Sequence, residues 1–89
     1  YAKGYNNLGT ALGQDGRPNE ALLQFLKAVQ IDPDYIEARY NLAMSYLIQD
    51  RASEAVVEFQ EILRRKPDFA PAHAGYERAR LRAEAKGNR

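Results

Sequence analysis

Ala21-Leu22-Leu23-Gln24-Phe25 is followed, eight residues after its phenylalanine, by Pro33-Asp34; Ala55-Val56-Val57-Glu58-Phe59 is followed at the same distance by Pro67-Asp68. Every member of the second set stands 34 residues after its counterpart, and the same shift pairs Tyr1 with Tyr35, Asn7 with Asn41, Leu8 with Leu42, Arg17 with Arg51, Glu20 with Glu54 and Ala38 with Ala72. A period of that length belongs to helical hairpins repeated in tandem. One such unit is too small to bury its own apolar face, so neighbours must stack, and stacking builds an extended surface rather than a closed pocket. The expectation is an all-α chain whose surface binds and does not catalyse.

Outward from these two segments, the apolar spacing divides the chain into five helices. Tyr5, Leu8, Gly9 and Leu12 recur at i, i+3, i+4 and i+7, one stripe of a first helix from Ala2 to Gln14. Asp15-Gly16-Arg17 ends it, and Pro18 suits the first turn of a second helix, where its missing N–H is no loss. Ala21, Phe25, Ala28 and Val29 form the buried stripe of that helix, and Asp32-Pro33-Asp34 turns the chain. A third helix, Tyr35 to Ile48, buries Leu42, Ala43 and Tyr46; a fourth, after Gln49-Asp50-Arg51, buries Ala55, Phe59, Ile62 and Leu63. Arg64-Arg65-Lys66 suits the carbonyl end of the fourth. Phe69 to Lys86 reads as a fifth helix before Gly87-Asn88-Arg89 frays. Helices joined by three-residue turns pack antiparallel and close, so each ring needs a small residue opposite: Gly9 and Ala21 for Phe25, Ala43 and Ala55 for Phe59.

Length and composition narrow the function classes. Eighty-nine residues suit one domain, read as repeat one over 1–34, repeat two over 35–68 and a capping helix or partial repeat over 69–86. Charged residues at 28% and hydrophobic ones at 45% are ordinary for an ordered chain. No apolar run approaches 18 residues and no leader pattern is visible, so no membrane association is expected. With no cysteine there is neither a disulfide framework nor a thiolate metal site. That leaves the compartment open, with the cytoplasm as the expectation. Tyr1 shares the phase of Tyr35 and Phe69, which suggests a piece cut from a longer array. The net charge of +1 conceals an acidic front and a basic back: residues 1–63 carry five basic and nine acidic side chains, residues 64–89 eight and three. Such a division suits head-to-tail association or an acidic partner, and is equally what an uneven solvated surface would give.

The two units resemble the tetratricopeptide repeat, whose pattern is W-x2-L-G-x2-Y, then A-x3-F, then P. The first reads Tyr5-x2-Leu8-Gly9-x2-Leu12, Ala21-x3-Phe25, Pro33, and the second Arg39-x2-Leu42-Ala43-x2-Tyr46, Ala55-x3-Phe59, Pro67. Departures fall at Tyr5 and Leu12, then at Arg39 and Ala43. The fifth helix, His73-x2-Tyr76-Glu77-x2-Arg80, keeps little of the signature, as a cap would. The resemblance implies a right-handed superhelix that recruits a protein or peptide partner along a concave groove lined by the first helix of each pair. Carried over, it places Lys3, Asn6, Thr10, Gly13 and Gln14 in that groove from helix one, Glu37, Tyr40, Asn41, Met44, Leu47 and Ile48 from helix three, and Ala74, Arg78 and Arg82 from helix five. The groove would be apolar at its centre and basic at one end. Tyr40, Met44, Leu47 and Ile48 lie outside the repeat's own core stripe, which leaves them as a ligand surface or as packing toward a neighbour. Asn41 and its counterpart Asn7 have two readings: side-chain amides that hold a peptide backbone, or polar helix residues that simply face solvent. Some members of the family clamp the terminal carboxylate of chaperones with lysine, asparagine and arginine; Asn41 matches, whereas Asn6, Pro71 and Gly75 stand where basic residues are wanted.

Enzymatic chemistry finds no support in the residues. His73 is the sole histidine and has no cysteine or carboxylate pair to share a metal with; Ser45 and Ser53 lack a recognisable base. No cofactor is expected. Nucleic acid is disfavoured because the basic end lacks stacking aromatics. The reading is therefore a protein-interaction scaffold for an extended peptide or partner helix, with Asn6, Thr10, Tyr40, Asn41, Met44, Leu47, Ile48, Arg78 and Arg82 as groove residues. Two alternatives stand beside it: the recognition arm of a larger enzyme, such as a glycosyltransferase carrying these repeats, and a self-assembling module in which the open face around Tyr1 and Tyr5 pairs with another copy.

Overall fold

A computed structural model describes residues 1–87 and contains five α-helices: α1 Ala2–Gln14, α2 Pro18–Ile31, α3 Ile36–Ile48, α4 Ala52–Arg65 and α5 Ala70–Gly87. No strand occurs among the described residues. The boundaries fall within a residue or so of those read from the chain. Tyr35 caps α3 rather than opening it, and Gly87 continues α5 rather than fraying; Asn88 and Arg89 lie outside the described residues.

The turns repeat as faithfully as the helices. After α1, the Arg17 amide donates to the Leu12 carbonyl at 2.9 Å and the Gly16 amide to the Gly13 carbonyl at 3.1 Å; after α3, Arg51 donates to Tyr46 at 2.8 Å and Asp50 to Leu47 at 3.1 Å. This paired pattern uses the last helical carbonyls and requires one left-handed residue. Gly16 takes that place at φ 75° and Asp50 at φ 61°. Asp is among the few side chains that tolerate this backbone. Between hairpins, Asp32 and Lys66 end their helices, and Pro33 and Pro67 prevent any continuation.

Packing follows the small-against-large rule. Each hairpin closes on itself, α1 on α2 and α3 on α4, and α2 then packs on α3 and α4 on α5. Ala21, Leu22, Phe25, Ala28, Val29, Ala38 and Leu42 form one buried cluster; Ala43, Leu47, Ala52, Ala55, Phe59, Ile62, Ala72 and Ala79 form the other. A β-carbon placed on Gly9 would stand 2.6 Å from the Phe25 ring, so the two helices meet there at a distance only glycine allows. Phe59 meets a glycine besides its small neighbours: the tip of its ring lies against Gly75 of α5, where a β-carbon would clash with it.

The expected stripes are not all fully covered: Tyr46 and Leu63 are only half-buried. Leu8 belongs to the helix-one stripe yet is 48% exposed, whereas its counterpart Leu42 is 2% exposed. Leu42 is covered by α2, the helix preceding its own, and no described helix stands in that relation to α1.

Candidate interaction surface

Helices α1, α3 and α5, the first members of successive units, are tied to one another by polar contacts. Asn6 donates to the Tyr35 hydroxyl at 3.3 Å and accepts from the Asn41 amide at 3.0 Å; Arg82 donates to the Leu47 carbonyl at 3.3 Å. Asn6 is 1% exposed, so its amide holds α1 against α3 and is not free for a ligand. Asn41 is half-buried, with its amide nitrogen engaged by Asn6.

A cleft of about 560 Å³ opens between α1 and α3. Gly9, Thr10, Gly13 and Gly16 form one wall, Asn41, Met44, Ser45 and Ile48 the other, and Pro18, Ala21 and Phe25 of α2 the floor. The size falls in the usual range of ligand pockets, roughly 300–1,000 Å³. No lining residue is charged. Its origin is a difference between the units: Gly13 stands where the second unit has Leu47, and Leu47 fills the corresponding space. A β-carbon on Gly13 would meet only the Ala21 methyl, at 4.0 Å, so nothing in the packing demands a glycine there.

The expected groove residues thus separate. Thr10, Asn41, Met44 and Ile48 line the cleft, Ile48 with 74% of its surface exposed. Leu47 is 3% exposed and belongs to the core. Tyr40 packs edge-on against Phe59 and Phe69, with ring centroids 6.1 and 6.0 Å away. This apolar set therefore divides by residue: Leu47 and Tyr40 serve packing, whereas Met44 and Ile48 face the cleft. Thr10 returns its hydroxyl to the Asn6 carbonyl at 3.1 Å. Arg78 and Arg82 are exposed on α5 and do not line the cleft.

Charge pairing singles out these two residues. Of the described arginines, Arg17, Arg39, Arg51, Arg64, Arg65 and Arg80 each meet a carboxylate, and Arg78 and Arg82 do not. Surface pairing is strong enough that the hydrogen bond from Arg51 holds the Glu54 carboxyl below its ordinary pKa, and Arg80 does the same to Glu77.

Arg39 was legible only as a departure from the repeat pattern. Buried at 8% exposure, it donates through Nε to the Pro33 carbonyl at 2.6 Å and through Nη1 to Glu58 at 2.9 Å. His73, 34 residues on, places Nε2 2.7 Å from the equivalent carbonyl of Pro67. The lone histidine thus anchors a loop. Among the described residues no group of His, Cys, Asp and Glu could hold a metal, and no helix is long and apolar enough to cross a membrane.

Repeated hairpins in this register define a helical-repeat interaction fold, and comparison with known proteins makes the class specific. The tetratricopeptide repeat model matches residues 12–84, and the chain belongs to that family. It is similar to a tetratricopeptide repeat and J domain-containing co-chaperone of Fusarium oxysporum f. sp. lycopersici, 39% identical over 70 residues, covering 79% of this chain and 13% of that protein. It is also similar to the human protein O-mannosyl-transferase TMTC3, 36% identical over 67 residues, 75% of this chain and 7% of that one. A peroxisomal targeting signal receptor of Eremothecium gossypii is 42% identical over 41 residues, 46% of this chain and 7% of the receptor. In each case the chain spans a small fraction of its relative's length.

Proposed function

We propose that this chain is a protein-interaction module that holds an extended peptide segment of its partner across α1, α3 and α5. The observation that carries this reading is Ile48: a large apolar side chain, mostly exposed, on the rim of an uncharged cleft. An apolar side chain of the partner entering the cleft would cover Met44, Ile48 and the Phe25 edge, and apolar burial contributes about 25 cal/mol per Å². Asn41 and Ser45 leave polar atoms at the rim for a backbone amide. Two relatives support a partner that is itself a protein, since one is named a co-chaperone and another a receptor for a targeting signal.

Ile48→Glu places a charge on the rim at an exposed position. A natural partner bound by the intact protein should lose affinity about tenfold or more, while Leu23→Glu, exposed on α2, leaves binding unchanged. Equal effects of the two substitutions, read by calorimetric titration, would end this reading.

A second reading rests on the similarity to an O-mannosyl-transferase: the module would be the recognition arm of a larger enzyme whose chemistry lies in another segment. The same surface then selects the acceptor protein.

A further inference from the structure

Resting on the reading above, the two guanidinium groups that meet no carboxylate, Arg78 and Arg82, give the partner segment its chemistry; Arg82 spends Nη1 on the Leu47 carbonyl and keeps its other donors. The 34-residue register arranges the exposed face in two rows: Thr10, Met44 and Arg78, and Gln14, Ile48 and Arg82. Each row crosses α1, α3 and α5 in turn and passes from polar through apolar to cationic. Elsewhere the molecule neutralises its arginines with its own carboxylates; on this face alone two are left without one among the described residues. Spaced at i and i+4, they lie on one side of α5.

We infer that the partner segment carries an apolar side chain, seated in the cleft lined by Gly13, Phe25, Met44 and Ile48, and an aspartate or glutamate side chain about three residues along, held by Arg78 and Arg82. The spacing follows from geometry: α3 and α5 touch at only a few points, among them the Arg82–Leu47 hydrogen bond, so their axes lie at or just beyond the roughly 8–10 Å of packed helices, and an extended chain rising about 3.3 Å per residue crosses that in about three residues or slightly more. The uncharged cleft excludes the acidic group, and the cationic end receives it. Arginine suits this role because its planar fork binds a carboxylate through two parallel hydrogen bonds. A nucleic acid strand fits less well, since it needs stacking rings along the basic track. Phe69 and Tyr76 are instead half-buried against the core.

Selection of a random dodecapeptide library against the 89-residue chain tests this. The enriched peptides should share a Leu, Ile, Met or Phe followed or preceded, two to four residues away, by Asp or Glu. Against Arg78→Glu/Arg82→Glu the acidic preference should vanish or reverse to Lys and Arg, and affinity for a wild-type-selected peptide should fall about tenfold or more. Against Gly13→Leu, which fills the cleft, the apolar preference should vanish instead; thermal melts verify that both variants are folded. Enrichment of peptides that compete at the cleft but carry no acidic residue, or that bind through their terminal carboxylate in free-acid but not amidated form, would overturn the acidic-side-chain assignment and leave the peptide groove standing. No enrichment at all would overturn both.

Discussion

Glycine does opposite things at Gly75 and at Gly13. At Gly75 a β-carbon would strike the Phe59 ring, which is fully buried between α3, α4 and α5 and has nowhere to move. Gly75→Ala should therefore destabilise the chain by up to about 2 kcal/mol net, because an overpacking cost of about 1–3 kcal/mol outweighs the roughly 1 kcal/mol that alanine contributes. Urea denaturation measures this directly, and a gain in stability would show that α5 sits further from α4 than described. Gly13 has open space in front of it, and that space is the cleft. Composition and periodicity could not separate the two residues. Both are glycines inside helices, and only the identity of the opposite side chain, a ring in one case and a methyl in the other, decides what each one does.

At the scale of elements, the pairing of α3 with α4 is held partly by a buried charge. Arg39 Nη1 lies 2.9 Å from Glu58 Oε1, with side chains 10% and 14% exposed. Removing one partner of such a pair leaves the other uncompensated, whereas replacing both with apolar groups is close to neutral. Glu58→Gln should cost about 3 kcal/mol, and Arg39→Met/Glu58→Leu far less, the difference being read from a denaturant-unfolding cycle. If the single and double variants are equally unstable, the pair does not behave as a buried couple. The helices themselves were legible because Ala-x3-Phe and Pro-Asp recur in phase, and local turn chemistry at Gly16 and Asp50 agrees with that period. The Arg39–Glu58 pair was not, because it joins positions 19 residues apart on different helices, Glu58 lies outside the repeat pattern and Arg39 departs from it. Asn6 was misplaced for a related reason: its spacing puts it on the face toward the next unit, but whether that face is open or closed depends on Tyr35 and Asn41 reaching back to it.

Over the whole molecule, the two units share a frame and differ in its filling. Where the second has Leu47 the first has Gly13, and where α3 carries Met44 and Ile48, α5 carries Arg78 and Arg82. The frame buries Phe25 and Phe59 by one recipe; the exchanges at the other positions open a cleft beside α1 and leave charge beside α3. The far side of α5 differs again: Glu77, Arg80 and Glu84 pair among themselves at positions where α1 has Gly9 and Leu12 to receive a partner helix. The residues that stack are thus separate from those proposed to bind, which is why the repeat pattern identifies the family and does not by itself identify a ligand.

In the proposed complex the partner lies across α1, α3 and α5 and not on the outer faces of α2 and α4. Amide and methyl chemical shifts of the isotopically labelled chain, followed while a library-selected peptide is titrated in, test it most directly. Perturbations should concentrate at Thr10, Gly13, Met44, Ile48, Arg78 and Arg82 and leave Leu23 and Val57 in place. Shifts centred on Leu23 and Val57, with the cleft residues unmoved, would contradict it.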